Sequence, residues 1–175
     1  MPLKLEDKRA IVATVHKIAS TAHSAIAAEY RGMTVTQMTQ LRVQARQADV
    51  YLRVVRNTLA RRAVLNTDFE CLRDILVGPV VLAFSIDDPG AAARVIRDFS
   101  KNNDKLVVKG VAIGGQLLGA SEIDIVAKLP TLKQAISKLM SVIQAPITKL
   151  VCTIQEPYAK LVRTIAAVRD SKSNH

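Results

Sequence analysis

The sequence predicts an α+β chain in two parts: an N-terminal α/β sandwich over residues 1–129 and a long, kinked C-terminal helix over residues 130–175. β-rich and helix-periodic segments alternate through the first part, which calls for helices layered on a sheet. The second part repeats every eleven positions, so that residues 137–147 align without gaps to 148–158 and then to 159–169. Eleven residues are about 3.67 per turn, so equivalent side chains stay on one slowly drifting helix face. Pro130 separates the two patterns.

Residues 5–20 read as an amphipathic helix, with Leu5, Ile11, Val12, Val15, Ile18 and Ala19 at helical spacing and Glu6 and Asp7 at its positive end. Residues 24–30 are short and apolar, as a strand requires. Arg31-Gly32 breaks the run, and Thr34, three residues ahead of Gln37, opens a capping-box helix to about Gln47. Residues 50–55 are β-rich, and 56–63 give way to a helix capped by Asn57 or Thr58. Residues 69–76 form a short helix ended by Gly78-Pro79. Residues 79–86 are almost continuously apolar, the mark of a central strand. Asp88-Pro89 opens a helix to about Asn102 with Pro89 in its first turn. Residues 105–113 alternate as a strand, Gly114-Gly115 turns it, and Gln116 to Leu118 return as its partner. Ser121 caps a short helix to Leu129. Periodicity leaves the strand order open.

A net charge of +10 and a pI near 10.0 point to a polyanionic partner. Residues 1–65 are net +7, residues 66–129 net −2 and residues 130–175 net +5, so the positive charge divides between the first half-domain and the tail. With 3% aromatics and no Trp, nucleic-acid contact must rest on phosphate charge and shape rather than base stacking, and no small-molecule substrate is expected. Cys71 and Cys152 lack metal-ligand spacing and suit a reduced, cytoplasmic setting. The first residues are charged where a signal peptide needs an apolar core, and no run of eighteen apolar residues occurs, so no membrane is expected.

The densest cationic cluster is Arg53, Arg56, Arg61 and Arg62, with Asn57 and Thr58 between. At a strand-to-helix junction, backbone N–H groups and guanidinium forks can converge on phosphates; taken singly, each arginine reads equally well as a solvated helix face. Lys4, Lys8 and Arg9 form a second group, with Glu6 and Asp7 as counter-charges. With Arg31, the candidate RNA contacts are Lys4, Lys8, Arg9, Arg31, Arg53, Arg56, Asn57, Thr58, Arg61 and Arg62. His16, His23 and His175 have no ligand partners at metal spacing, and Gly110 with Gly114-Gly115 is no dinucleotide fingerprint. Asp87-Asp88 before Pro89 reads as an N-capping turn. With no catalytic pair, metal site or cofactor motif, the chain is not expected to be an enzyme.

The tail carries an apolar stripe of Leu139, Ile143, Ile147, Leu150, Ile154, Tyr158, Leu161, Ile165 and Val168, flanked by Met140, Val151 and Val162. A helix packed on its own domain has no reason to repeat every eleven residues; a rod docking several copies of one partner has. Pro146 and Pro157, themselves eleven apart, suit separate docking segments better than one flat membrane face.

At these residues the chain resembles the family of bacterial large-subunit ribosomal protein ten, found at the base of the flexible stalk. The match runs through Tyr30-Arg-Gly-Met-Thr-Val-Thr-Gln-Met-Thr-Gln-Leu-Arg42, Val54-Val-Arg-Asn-Thr-Leu-Ala-Arg-Arg62, Pro89-Gly-Ala-Ala-Ala-Arg94 and Lys160-Leu-Val-Arg-Thr-Ile-Ala-Ala-Val-Arg169. The resemblance implies a ferredoxin-like, mainly antiparallel sandwich that binds large-subunit ribosomal RNA beside ribosomal protein eleven. It implies a cytoplasmic, ribosome-bound chain whose tail carries dimers of the acidic stalk protein seven/twelve, which recruits translation factors. It also implies repression of the chain's own messenger RNA. Shorter-tailed members carry two copies of the unit; the three here lead to an expectation of three dimers. The other readings are a free RNA-binding regulator with a self-associating tail and a membrane-surface protein.

Overall fold

A computed structural model describes residues 4–173; Met1, Pro2, Leu3 and His175, which enter the sequence reading, lie outside them. The chain divides into two compact units, residues 1–131 and 132–175.

The first unit opens with α1 (Leu5–Thr21), whose first turn is closed by the Asp7 carboxylate accepting from the Lys4 backbone N–H at 3.2 Å. β1 (Ser24–Glu29) follows, then α2 (Val35–Gln47). The expected capping box is present: Thr34 Oγ1 accepts from the Gln37 N–H at 3.3 Å, and Gln37 Oε1 from the Thr34 N–H at 3.0 Å. β2 (Val50–Val54) and the short α3 (Asn57–Ala63) lead through a 3-10 turn at Glu70–Asp74 into β3 (Val80–Ser85). Next come α4 (Ala91–Asn102), β4 (Val107–Ile113), β5 (Gln116–Leu118), a 3-10 turn at Ala120–Glu122 and α5 (Ile123–Ala127). Gly114 and Gly115 have φ of 54° and 81°, the left-handed pair that a tight β4–β5 hairpin needs.

Every strand pair is antiparallel, in the order β2-β3-β1-β4-β5. β1–α2–β2 and β3–α4–β4 therefore interleave as a split βαβ pair, the ferredoxin-like arrangement. Both faces of the sheet are covered. Ala25, Ala27, Leu82 and Phe84 pack under α1, α3 and the Phe69–Leu72–Leu76 segment, where Phe69 meets Phe84 edge-on with ring centroids 6.1 Å apart. Ile26, Ala28, Val81, Ala83 and Val111 pack under α2, α4 and α5. Double coverage explains why β3 is apolar on both sides and buried at every position. It lies inside the sheet, but β1 holds the centre.

Several local expectations need correction. α3 is capped by Arg56 in extended conformation with no side-chain bond, because the Asn57 amide is drawn away to donate to the Gly78 carbonyl at 2.9 Å. The short helix expected over residues 69–76 is present as a five-residue 3-10 helix, Glu70–Asp74. Pro89 lies before α4, and Asp88 bonds the Gly90 N–H at 3.1 Å while pairing with Arg94. Ser121 caps nothing; Gly119 N–H donates to the Glu122 carboxylate at 3.0 Å, and α5 starts after Glu122. Leu129 packs on the α4–α5 core, within the first unit.

The second unit is one helix, α6 (Leu132–Ser173), 42 residues long. Pro146 and Pro157 stand inside it and the helix continues through both. Each deletes one main-chain hydrogen bond, and a proline inside a helix costs about 3 kcal/mol.

Candidate RNA interface and docking helix

Antiparallel pairing brings the ends of β1 and β2 and the starts of β3 and β4 to one end of the sheet: Glu29 faces Val80 and Val107, and Val54 faces Val81. Arg31, Arg56, Lys105 and Lys109 collect there. Lys109 is the extra residue of a bulge, since Ala27 pairs with Gly110 but Ala28 with Val108. The bulge aims its ammonium at Glu29 Oε2, 2.8 Å away, and at the Val77 carbonyl, 2.6 Å away. Arg31 Nε holds the other carboxylate oxygen at 3.2 Å. Gly78 closes this corner with φ 83°, and a Cβ there would stand 3.7 Å from Lys109 Nζ. Lys105 runs beside Gly32, whose added Cβ would lie 3.8 Å from Lys105 Cδ.

The hydrogen bond from Lys109, then the charges of Lys109 and Arg31, hold the Glu29 carboxyl below its ordinary pKa against an opposing push from burial. A carboxylate lowered in the folded state stabilises the fold above its unfolded pKa, and that contribution is lost as pH falls through the folded value. An NMR titration should place the Glu29 midpoint below that of a free glutamate, and Glu29→Gln should remove this step from the acid limb of the stability curve. A midpoint at or above the ordinary value would mean that Lys109 and Arg31 do not hold Glu29 in solution.

A second basic surface lies between α1 and α3, a groove of about 420 Å³ with Leu5, Val12 and Leu59 for its floor and Lys8, Arg9 and Arg62 around it. His16 ties the two helices, its Nδ1 lying 2.9 Å from the Ala63 carbonyl and donating to it. The ten candidate residues therefore form no single cluster. Arg31, Arg56, Asn57 and Thr58 share the sheet end; Lys8, Arg9 and Arg62 share the groove; Lys4 is exposed at the start of α1. Arg53 stands on the free edge of β2, donating to the Tyr51 hydroxyl at 3.0 Å. Arg61 turns inward, giving Nη2 to the Leu76 carbonyl at 2.8 Å, and its Nε is buried without a partner. Lys105 and Lys109 were missed because they sit in the stretch of net −2; only the strand order moves them beside Arg31.

On α6 the nine stripe residues are between 55% and 73% exposed. At 100° per residue the stripe, Met140, Val151 and the two prolines share one arc, and Lys138, Lys149 and Lys160 lie about 110–150° away from its centre. Glu156 meets Lys160 on that far side at 3.9 Å. By length and composition α6 is long and apolar enough to cross a membrane, its best window reaching a mean hydropathy of 1.2. Any eighteen-residue span nevertheless takes in at least one basic residue.

A family model described as Ribosomal protein L10 matches residues 3–101, and one described as Ribosomal protein uL10 C-terminal region matches residues 129–155. The chain belongs to the ribosomal protein L10 family. It is similar to large ribosomal subunit protein uL10 of Alcanivorax borkumensis, 62% identical over 99% of both chains. The corresponding proteins of Thioalkalivibrio sulfidiphilus (62% identical, 98% of both) and Legionella pneumophila strain Corby (55% identical, 100% of this chain and 99% of the relative) match as completely. The L10 family is one of structural ribosomal proteins, not enzymes. Its first model takes in all ten candidate RNA residues, whereas Lys105 and Lys109 lie past its end. Its C-terminal model covers the first eleven-residue module and most of the second; the third lies beyond.

Proposed function

We propose that this chain is an RNA-anchored scaffold at the base of the large-subunit stalk. Its first unit binds large-subunit ribosomal RNA beside ribosomal protein eleven. Its tail docks dimers of the acidic stalk protein seven/twelve, which bring in translation factors. The observation that carries the reading is the exposed apolar stripe of α6, repeated every eleven residues, in a chain whose other unit gathers Arg31, Arg56 and Lys105 at one sheet end. A single helix cannot bury such a stripe by itself. The same phosphate-reading surface would serve to repress the chain's own messenger RNA. Membrane crossing is disfavoured because a lysine at mid-span costs about 2.5–3.5 kcal/mol.

Sedimentation separates the readings. The scaffold travels with the large subunit and brings a small acidic protein, a free regulator forms homo-oligomers alone, and a membrane-surface protein pellets with anionic vesicles. The tail adds a solubility prediction: without its acidic partner the full chain should aggregate, since its apolar stripe exceeds what a soluble monomer normally exposes. Truncation after Pro130 should cure this, and a truncated chain that aggregates as readily would place the adhesive surface elsewhere.

A further inference from the structure

β2 is an edge strand, so one side of its backbone has no strand partner. Beside it runs an open groove of about 440 Å³, floored by Ala45, Val50 and Leu52 and lined by Arg42, Arg46 and Arg53. None of these arginines has a carboxylate within ion-pair distance among the described residues. Arg53 is steadied at the strand edge by the Tyr51 hydroxyl. Arg42 and Arg46 are four apart on α2 and so project side by side, with Cβ atoms about 6 Å apart. The groove is continuous with the basic sheet end: Arg42 also borders a hollow with Tyr30 and Met33, and Val54 lines both this groove and the one holding Arg56.

We propose that the free edge of β2 is a second RNA-binding track, in which Arg42, Arg46 and Arg53 seat consecutive backbone phosphates of the RNA strand that leaves the sheet end. The proposal rests on the RNA-binding reading above and extends it to a surface that the charge cluster of residues 53–62 did not indicate. Planar guanidinium forks suit bidentate phosphate contact. Three cations without carboxylate partners around one groove favour a polyanion over an apolar strand, and a cation on the edge also resists pairing with a second copy of the chain. Tyr51, the aromatic that lines the groove, is half-buried with its hydroxyl engaged by Arg53, so recognition would follow the backbone and not the bases.

The test uses the full chain and a transcript of large-subunit ribosomal RNA. Filter binding over a salt series compares Arg42→Gln/Arg46→Gln with Arg56→Ala. Thermal melts of both variants should match the parent, because Arg42, Arg46 and Arg56 are all exposed. The double variant should lower the salt slope by about 1.4–1.8, two phosphate contacts. Hydroxyl-radical footprinting should show it losing one backbone segment while Arg56→Ala loses an adjacent one. An unchanged slope and footprint for the double variant, with Arg56→Ala still impaired, overturns the track and leaves the RNA reading standing. Unchanged binding for both variants overturns the two together. An unchanged RNA slope accompanied by aggregation would also sink the track, assigning the arginines to edge protection alone.

Discussion

The intact chain should carry three dimers of the acidic stalk protein, six copies in all, and a chain lacking residues 148–158 should carry two dimers. Each module presents a Leu, a Met or Val, and an Ile on one arc: Leu139, Met140 and Ile143; Leu150, Val151 and Ile154; Leu161, Val162 and Ile165. All nine are more than half exposed, so docking removes most of their surface from water. At roughly 1.5–3 kcal/mol per fully buried side chain, each trio contributes several kcal/mol before ordering costs. Deleting eleven residues removes three turns plus about 20°, which leaves the flanking faces almost in phase. The three modules are unequal. Leu132 and Ile136 continue the stripe upstream of the first module, whereas the third has Arg169 where the others have Ile147 and Tyr158. On dilution the third dimer should therefore leave first. Native mass spectrometry reads the count directly, and two dimers on the intact chain would make the third module a spacer.

Much of the framework was legible because local chemistry and global packing agree. The Thr34–Gln37 box, the Gly114-Gly115 turn and the period of residues 137–169 each depend on neighbours in sequence, and each stands as read. β3 was legible for a different reason, since a strand apolar at nearly every position needs cover on both faces. The misreadings fall where a distant group competes for a local one. Asn57 reads as a cap until the Gly78 carbonyl, twenty-one residues away, takes its amide. Lys109 reads as one more strand residue until the bulge aims it at Glu29. The RNA candidates were legible as a charge asymmetry but not as a surface: Arg53, Arg56, Arg61 and Arg62 are near neighbours in sequence, and the turn from β2 into α3 points them into different surroundings.

That divergence separates two arginines the sequence treats alike. Arg56→Ala should weaken ribosomal RNA binding and lower the salt slope by about one contact, with no change in stability, since the exposed Arg56 caps α3 through its backbone carbonyl, which accepts from Leu59 and Ala60 at 2.9 Å. Arg61→Ala, expected from sequence to behave the same way, should act on the fold instead. Its guanidinium ties α3 to the Leu76 carbonyl at 2.8 Å, beside a core containing Leu72, Leu76 and Ala63. Losing a charged hydrogen bond to a backbone acceptor costs about 1.5–3 kcal/mol; removing the partnerless Nε recovers part of that. The net expectation is a loss of about 1–2 kcal/mol in a denaturant titration, with the slope of RNA binding unchanged where the variant is folded. Arg61→Lys should rescue little, because a lysine has no rigid fork to direct at Leu76. A stable Arg61→Ala chain with a reduced salt slope would reverse the assignment and turn Arg61 outward onto the RNA.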